Sequence, residues 1–303
     1  MIHLIYVKNI ISRTVGGTFQ ELSFAVRVRN VGFGKQVEVH WAGENGEWQV
    51  TPAEFRSELP DSEEVWVAET AIPLTRQSAI PGNIQFAARL THDGISHWDS
   101  RQGQNYTLDA DSGIVVLEPV DMRVVGCRPR LAPDMVALPI EVAVRSAVGP
   151  EAVTVHWTTD GWATQHATQA HYRRDHWDRT VGSNARNPNR YGWEVWAARI
   201  PLQHAYRVEI AVECRARAGQ FWDNRSGRNY AARRGTLKVL TLNLHTYQEE
   251  DQLRKFVRVA RAIRERDIGI VCLQEVGENW NDGAGDWASN AARIINSHLP
   301  EPY

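Results

Sequence analysis

Two short constellations in this 303-residue chain carry side chains that could do chemistry. The first occurs twice. Trp98, Asp99, Gly103, Asn105 and Tyr106 recur at identical spacing as Trp222, Asp223, Gly227, Asn229 and Tyr230. Asp and Asn hydrogen-bond a turn backbone, and Gly supplies positive φ. The same groups suit a sugar, because an aromatic face covers the apolar side of a pyranose while carboxylates and carboxamides pair with hydroxyls. The second constellation is Asn243 with Glu275. A carboxylate and a carboxamide oxygen at neighbouring strand ends suit a hard cation such as Mg²⁺.

The elements that position the first constellation belong to an internal repeat. FAVRVRNVGFGKQVEVHW, ending at Trp41, resembles IEVAVRSAVGPEAVTVHW, ending at Trp157. EVWVAETAIPL from Glu64 resembles EVWAARIPL from Glu194, and the tryptophan motif is the third landmark. The offset between copies is 116 residues at Trp41 and Trp157, 130 at Glu64 and Glu194, and 124 at Trp98 and Trp222. Copy two therefore carries an insertion, placed in Gln165 to Tyr191. That stretch is polar, cationic and aromatic and reads as a long loop. Its surroundings hold Trp162, Tyr172, Trp177 and Tyr191, aromatics freer to meet a ligand. Within each copy, Val37 to Trp41 and Val153 to Trp157 alternate apolar and polar as half-buried strands do. Short strands with regular turn signals predict an antiparallel sandwich of immunoglobulin-like size. Trp41, Trp157, Trp66 and Trp196 lie among apolar strand residues and are expected in the cores.

At the repeated motif the chain resembles carbohydrate-binding module family 21, whose signature reads W-D-N-N-x-x-x-N-Y. The resemblance covers most of residues 1–232 in two copies. It implies immunoglobulin-like sandwiches that bind α-glucans such as starch or glycogen. Carried over by motif position, the contacts are Trp222, Asp223, Asn224, Asn229 and Tyr230, with Trp98, Asp99, Asn105 and Tyr106 as the weaker counterparts. Copy one has Ser100 where copy two keeps Asn224, and the family's second Asn is Arg101 and Arg225 here. The competing reading is structural. The two tryptophans would fill the sandwich cores and the Asp and Asn would only hold a turn; Asn229 and Tyr230 lean towards ligand contact.

The pattern changes after residue 236. Leu237 to Leu244 reads as a strand. Glu249 to Arg266 reads as a helix with Leu253, Phe256, Val257, Ala260 and Ile263 on its apolar face. Asp267 to Leu273 reads as a second strand, and Trp287 to Leu299 as a helix. A βαβ crossover sets the two strands parallel, with Asn243 and Glu275 at their C-terminal ends, where sites collect in such sheets. Here the chain resembles the endonuclease/exonuclease/phosphatase superfamily, of DNase I-like fold, on Thr241 to Leu244 and on Leu273 to Val276. The resemblance implies that Asn243 and Glu275 are catalytic residues holding a Mg²⁺ ion for phosphoester hydrolysis. The later motifs, D-x-N and S-D-H, are absent, and neither His245 nor His298 stands at a catalytic position. The expectation is a truncated domain, inactive by itself and marginally ordered alone, since a βαβα piece cannot bury both faces of its sheet.

The fold class expected is thus mainly β: two immunoglobulin-like antiparallel sandwiches, residues 1–112 and 113–233, then a truncated α/β (βαβα) segment of a DNase I-like fold, 237–303. Net charge is −2, which gives no support for a whole-chain nucleic-acid surface. Three dispersed cysteines argue against a disulfide framework. No apolar stretch approaches the ~20 residues of a membrane span, and no signal h-region is present. These features lead to an expected cytoplasmic location without a membrane partner. Three functional readings stand: a Mg²⁺-dependent phosphoester hydrolase with appended glucan-binding modules, a non-enzymatic tandem starch- or glycogen-binding protein, and sandwiches that are ligand-free spacers.

Overall fold

Alternation builds the sheets. In Gly17–Arg29, Leu22, Phe24, Val26 and Val28 are buried while Ser23 and Arg27 lie at intermediate depth on the other face, the period-two signature of a strand. The computed structural model describes residues 1–32, 34–132, 134–202, 205–235, 238–246, 250–265, 268, 270–277 and 289–299. They divide into two compact units, Met1–Arg234 and Gly235–Tyr303.

The first unit begins with ten strands: β1 (Ile2–Thr14), β2 (Gly17–Arg29), β3 (Gln36–Ala42), β4 (Trp48–Pro52), β5 (Glu54–Leu59), β6 (Glu63–Pro73), β7 (Ile84–His92), β8 (Ile95–Asp99), β9 (Tyr106–Leu108) and β10 (Gly113–Val116). They form one sheet of order β10-β1-β2-β6-β5 and another of order β4-β3-β7-β8, with β9 also on β7. Ten more strands follow with one short helix: β11 (Met122–Cys127), β12 (Arg130–Leu131), β13 (Ala137–Arg145), β14 (Pro150–Thr158), β15 (His166–Gln169), β16 (His171–Tyr172), α1 (His176–Val181), β17 (Trp193–Pro201), β18 (Arg207–Ala216), β19 (Gly219–Asp223) and β20 (Tyr230–Arg234). Their sheets run β11-β13-β17-β16 and β12-β20-β18-β14-β15, with β19 on β18. The strand orders of the two sandwiches correspond, except that β10 beside β1 and β12 beside β20 have no counterpart in the other copy. Trp41 and Trp157 are buried, and each indole N–H donates to a threonine, Thr51 at 2.9 Å and Thr168 at 3.0 Å. Trp66 and Trp196 pack at the edges of the two cores.

Two expectations need correction. Residues 113–116, assigned to the second copy, form β10 and pair with β1 of the first sandwich. The insertion is not a free loop. It folds through α1 and drives Trp177 to 1% exposure within the apolar cluster that contains Phe24 and Phe86. A Cβ on Gly113 would lie 3.2 Å from the Trp177 indole nitrogen, and its φ of +78° is a conformation that L side chains rarely adopt, so both favour glycine at this strand start. The Asp111 carboxylate accepts from the amides of Ile11 (2.8 Å) and Asn184 (3.1 Å) and from the Ser183 hydroxyl. Tyr191 donates to Asp109 at 2.9 Å, and the Asn189 amide donates to the Ile114 carbonyl at 2.6 Å.

These contacts accompany face-to-face packing of the two β10- and β11-containing sheets. Residues of the first that point away from its own core (Ile5, Ala25, Val67) are buried with Tyr6. In the second, Val142 points into its own core while the adjacent Ala143 and its partner Val195 join the first sandwich's cluster. Burial pushes the Tyr6 phenol well up, and the carboxylates of Glu69 and Glu141 add to it. The unit is therefore four β layers, with the β3- and β14-containing sheets outermost.

The second unit holds β21 (Val239–Asn243), α2 (Gln252–Glu265), β22 (Ile270–Gln274) and α3 (Ala291–Ser297). β21 and β22 pair in parallel, Val239 opposite Ile270 through Asn243 opposite Gln274. Phe256, Ala260 and Ile263 of α2 are buried with Ala291 and Ile295 of α3. Leu253 and Val257, expected on the same stripe, are exposed. They lie one helical row off it, and the strand faces of Val239 and Ile270 are open as well. The expected starts at Leu237, Glu249 and Trp287 lie outside the described residues. Among the described residues no helix is long and apolar enough to cross a membrane.

Truncating Trp177 to Ala should cost about 3–5 kcal/mol, as for a large aromatic removed from a core. Urea unfolding monitored by circular dichroism measures it, and a loss below about 1 kcal/mol would mean that the insertion does not anchor the first sandwich.

Candidate functional site

The repeated motif closes each sandwich in the same way. β8 ends at Asp99 and β9 starts at Tyr106; β19 ends at Asp223 and β20 starts at Tyr230. The intervening turns run through left-handed φ at Arg101, Gln102, Gly103 and Asn105, and at Arg225, Ser226, Gly227 and Asn229. Asn tolerates that region and Gly has no penalty there, which accounts for both types at their positions. The Ser100 hydroxyl accepts the Gly103 N–H at 3.2 Å, and the Asn224 carboxamide oxygen accepts the Gly227 N–H at 3.0 Å. The position where serine stands in one copy and asparagine in the other thus does the same work in each. The amides of Asn105 and Asn229 donate across the turn to the carbonyls of Ser100 and Asn224, both at 2.8 Å.

The aspartates turn inward. Asp99 accepts the Leu4 N–H of β1 at 2.7 Å and the Tyr106 hydroxyl at 2.8 Å. Asp223, 6% exposed, accepts the Val124 N–H of β11 at 2.7 Å and the Tyr230 hydroxyl at 2.8 Å, with Arg123 alongside at 3.6 Å. Each carboxylate joins an outer sheet to an inner one. Burial, reinforced by Asp99, pushes the Tyr106 phenol up to about 12. Burial and then Asp223 raise Tyr230 well above the usual phenol range. Both hydroxyls stay protonated as inward donors.

Trp98 and Trp222 do the opposite, remaining 47% and 52% exposed. Strand pleating explains it, since each precedes an inward aspartate by one residue. Trp98 lies opposite Arg89 and Trp222 opposite Glu213, both outward positions of the outer sheets. His40 meets Trp98 edge-on at 4.8 Å, and the Arg89 guanidinium lies 5.4 Å from its centroid. His156 stacks on Trp222 at 5.1 Å. Each histidine is oriented by acid or amide neighbours: His40 by Glu38 at 2.7 Å, His156 by Glu213 at 3.0 Å and Gln165 at 2.9 Å. The hydrogen bond to His156 is the main cause that lowers the Glu213 pKa. Beside His40, exposed Val50 and Trp48 extend the first face along β4. On the second face the Trp162 indole N–H donates to Glu209 at 3.0 Å. Sequence reasoning passed over His40, His156 and Trp48. The signal was there in Val-His-Trp, whose histidine recurs in both copies on the polar phase of a strand.

In the second unit, Asn243 and Glu275 come together at the strand ends, the carboxamide N–H donating to the carboxylate at 2.7 Å. The carboxamide oxygen of Asn243 accepts the His245 backbone N–H at 3.0 Å, and the His245 ring lies 3.6 Å from Glu275. Asn243 therefore orients Glu275 through its amide nitrogen. Among the described residues no group of three or more His, Cys, Asp or Glu could hold a metal.

A family model described as a carbohydrate/starch-binding module of family 21 matches residues 130–233, which include Trp222, Asp223, Asn224, Asn229 and Tyr230. Similar solved structures include the starch-binding domain of Rhizopus oryzae glucoamylase in complex with β-cyclodextrin and maltoheptaose, 17% identical over 36% of this chain and 92% of that one, with a TM-score of 0.28. The carbohydrate-binding module of the muscle glycogen-targeting subunit of protein phosphatase-1 is 23% identical over 34% of this chain and 76% of that one, TM-score 0.24. Scores this low leave the family model as the finding that bears on residues 130–233. No curated protein matches the chain.

The alkaline limb of the stability curve should report the Asp99–Tyr106 link. A phenol raised in the folded state stabilises fully below its ordinary value of 10, and the contribution is lost as pH rises towards about 12. Unfolding free energy should fall across that window in the wild type and fall less steeply in Tyr106→Phe. Parallel slopes would remove the link.

Proposed function

We propose that residues 130–233 bind α-glucan through the outer sheet face bearing Trp222, and that the face bearing Trp98 is its counterpart in the first sandwich. The observation that carries this reading is the exposed Trp222, held outward one residue before a buried Asp223 within the region matched by a starch-binding family model. The indole offers a flat apolar surface to a sugar ring, and the oriented His156 and the nearby Gln165 offer hydrogen bonds to hydroxyls. In this reading Asp223 and Tyr230, like Asp99 and Tyr106, shape the face, while Asn224 and Asn229, like Asn105, build the turn at its rim.

Starch- or glycogen-affinity electrophoresis of the whole chain tests it. Trp222→Ala should lose about tenfold or more in retardation, since an aromatic stacking contact of this kind contributes on the order of 1–2 kcal/mol. Asn229→Ala should have the smaller effect. Unretarded migration of the wild type would remove the proposal.

A second reading is supported by the meeting of Asn243 and Glu275 at the ends of parallel strands. In it the second unit contributes to a Mg²⁺-dependent phosphoester hydrolase, and Asn243 holds Glu275 in place as a metal ligand. Bound there, the ion would neutralise phosphate charge. Titration calorimetry with MgCl₂ should show a saturable heat that Glu275→Ala abolishes. Superimposable traces for the two proteins would eliminate the metal assignment.

A further inference from the structure

We infer that the double sandwich bridges two separate glucan chains instead of gripping one. The inference rests on the sugar-binding reading above and adds direction to it. Trp98 stands opposite Arg89, while the residues flanking Arg89 on β7, Ala88 and Leu90, point into the first core. Trp222 stands opposite Glu213, while Val212 and Cys214 point into the second core. Both tryptophans therefore project from the backs of the outer sheets, away from their own cores. The backs of the inner sheets are not available to ligand, because Ala25 and Val67 on one and Ala143 and Val195 on the other are buried. The two tryptophan faces are then the outermost surfaces of a four-layer stack and look in opposite directions.

Distance and rigidity complete the argument. Three intersheet gaps of about 10 Å each separate the outer sheets by roughly 30 Å. One glucan strand could engage both faces only by turning round an edge of the stack. Among the described residues, the joint between the two halves is packed and offers no free hinge to shorten that path. Trp177 sits in the shared apolar cluster, and Asp111 ties the insertion to β1 through the Ile11 and Asn184 amides. A rigid body with two opposed faces for the same polymer is a non-covalent cross-linker.

The experiment pairs a short probe with a multivalent one, using the full chain. Calorimetry with maltopentaose counts sites, and light scattering of soluble glycogen reads bridging. The expected result is two maltopentaose sites per chain. Scattering should rise with added protein, pass through a maximum and fall in protein excess, and an excess of maltopentaose should reverse it. Trp98→Ala and Trp222→Ala should each reduce the count to one and abolish the rise. Circular dichroism confirms that these exposed positions leave the fold intact. Two sites with flat scattering, and affinity for long amylose about a hundredfold above that for maltopentaose, would show one chain gripped at both faces and overturn the inference. One site in the wild type would also overturn it while leaving the sugar reading in place. No binding of maltopentaose or glycogen would defeat both.

Discussion

One carboxylate in each sandwich sets the geometry on which everything functional depends. Asp99 and Asp223 each stand at the end of an outer strand and accept a backbone N–H from an inner strand together with a phenol from the strand beyond the turn. Antiparallel sheets are bound within themselves by ladder bonds but to each other mainly by non-directional apolar packing. A buried, charge-assisted hydrogen bond between sheets adds direction. It fixes the pleat phase of the strand that carries it, so the preceding tryptophan has nowhere to go but out. The same bond draws in the tyrosine and thereby determines where the left-handed turn must begin.

The two copies keep this device and vary what surrounds it. Ser100 and Asn224 are interchangeable because the turn needs only a side-chain oxygen for a glycine N–H. The outward charges are less equivalent. Next to Trp98 an acid on β3 pairs with Arg89 on β7, whereas next to Trp222 the acid is Glu213 on the equivalent of β7, and Thr154 takes the place of Glu38. A guanidinium thus shares the ring surface of Trp98, while an imidazole alone stacks on Trp222.

Much of this was legible in the residues. Repeated landmarks and alternation predicted the sandwiches, and the apolar phase of the strands predicted buried Trp41 and Trp157. Helical spacing predicted α2, and the strand pattern predicted the parallel pairing of β21 with β22. What periodicity conveys is which residues share a face. It does not say what covers that face. Trp177 looked like a loop aromatic because the surface it meets belongs to residues roughly sixty to one hundred and seventy positions away, such as Gly113 and Lys8. Leu253 and Val257 looked like core for the converse reason, since a helix's apolar stripe is wider than the part its partners cover. The motif was similarly ambiguous. Trp, Asp, Asn and Tyr are all plausible sugar contacts by type, and only the pleat distinguishes the one that faces solvent.

The shared apolar cluster has a bearing on how this chain folds and how its parts can evolve. Phe24 and Phe86 of the first sandwich lie in one contiguous core with Ala143, Trp177 and Val195 of the second. Melting either sandwich uncovers the other, so the two should open together as a single cooperative block. The unit of duplication and the unit of folding are consequently different. A cut at the joint would bare the apolar surface around Ala143, Trp177 and Val195, so each repeat depends on its neighbour for a closed core.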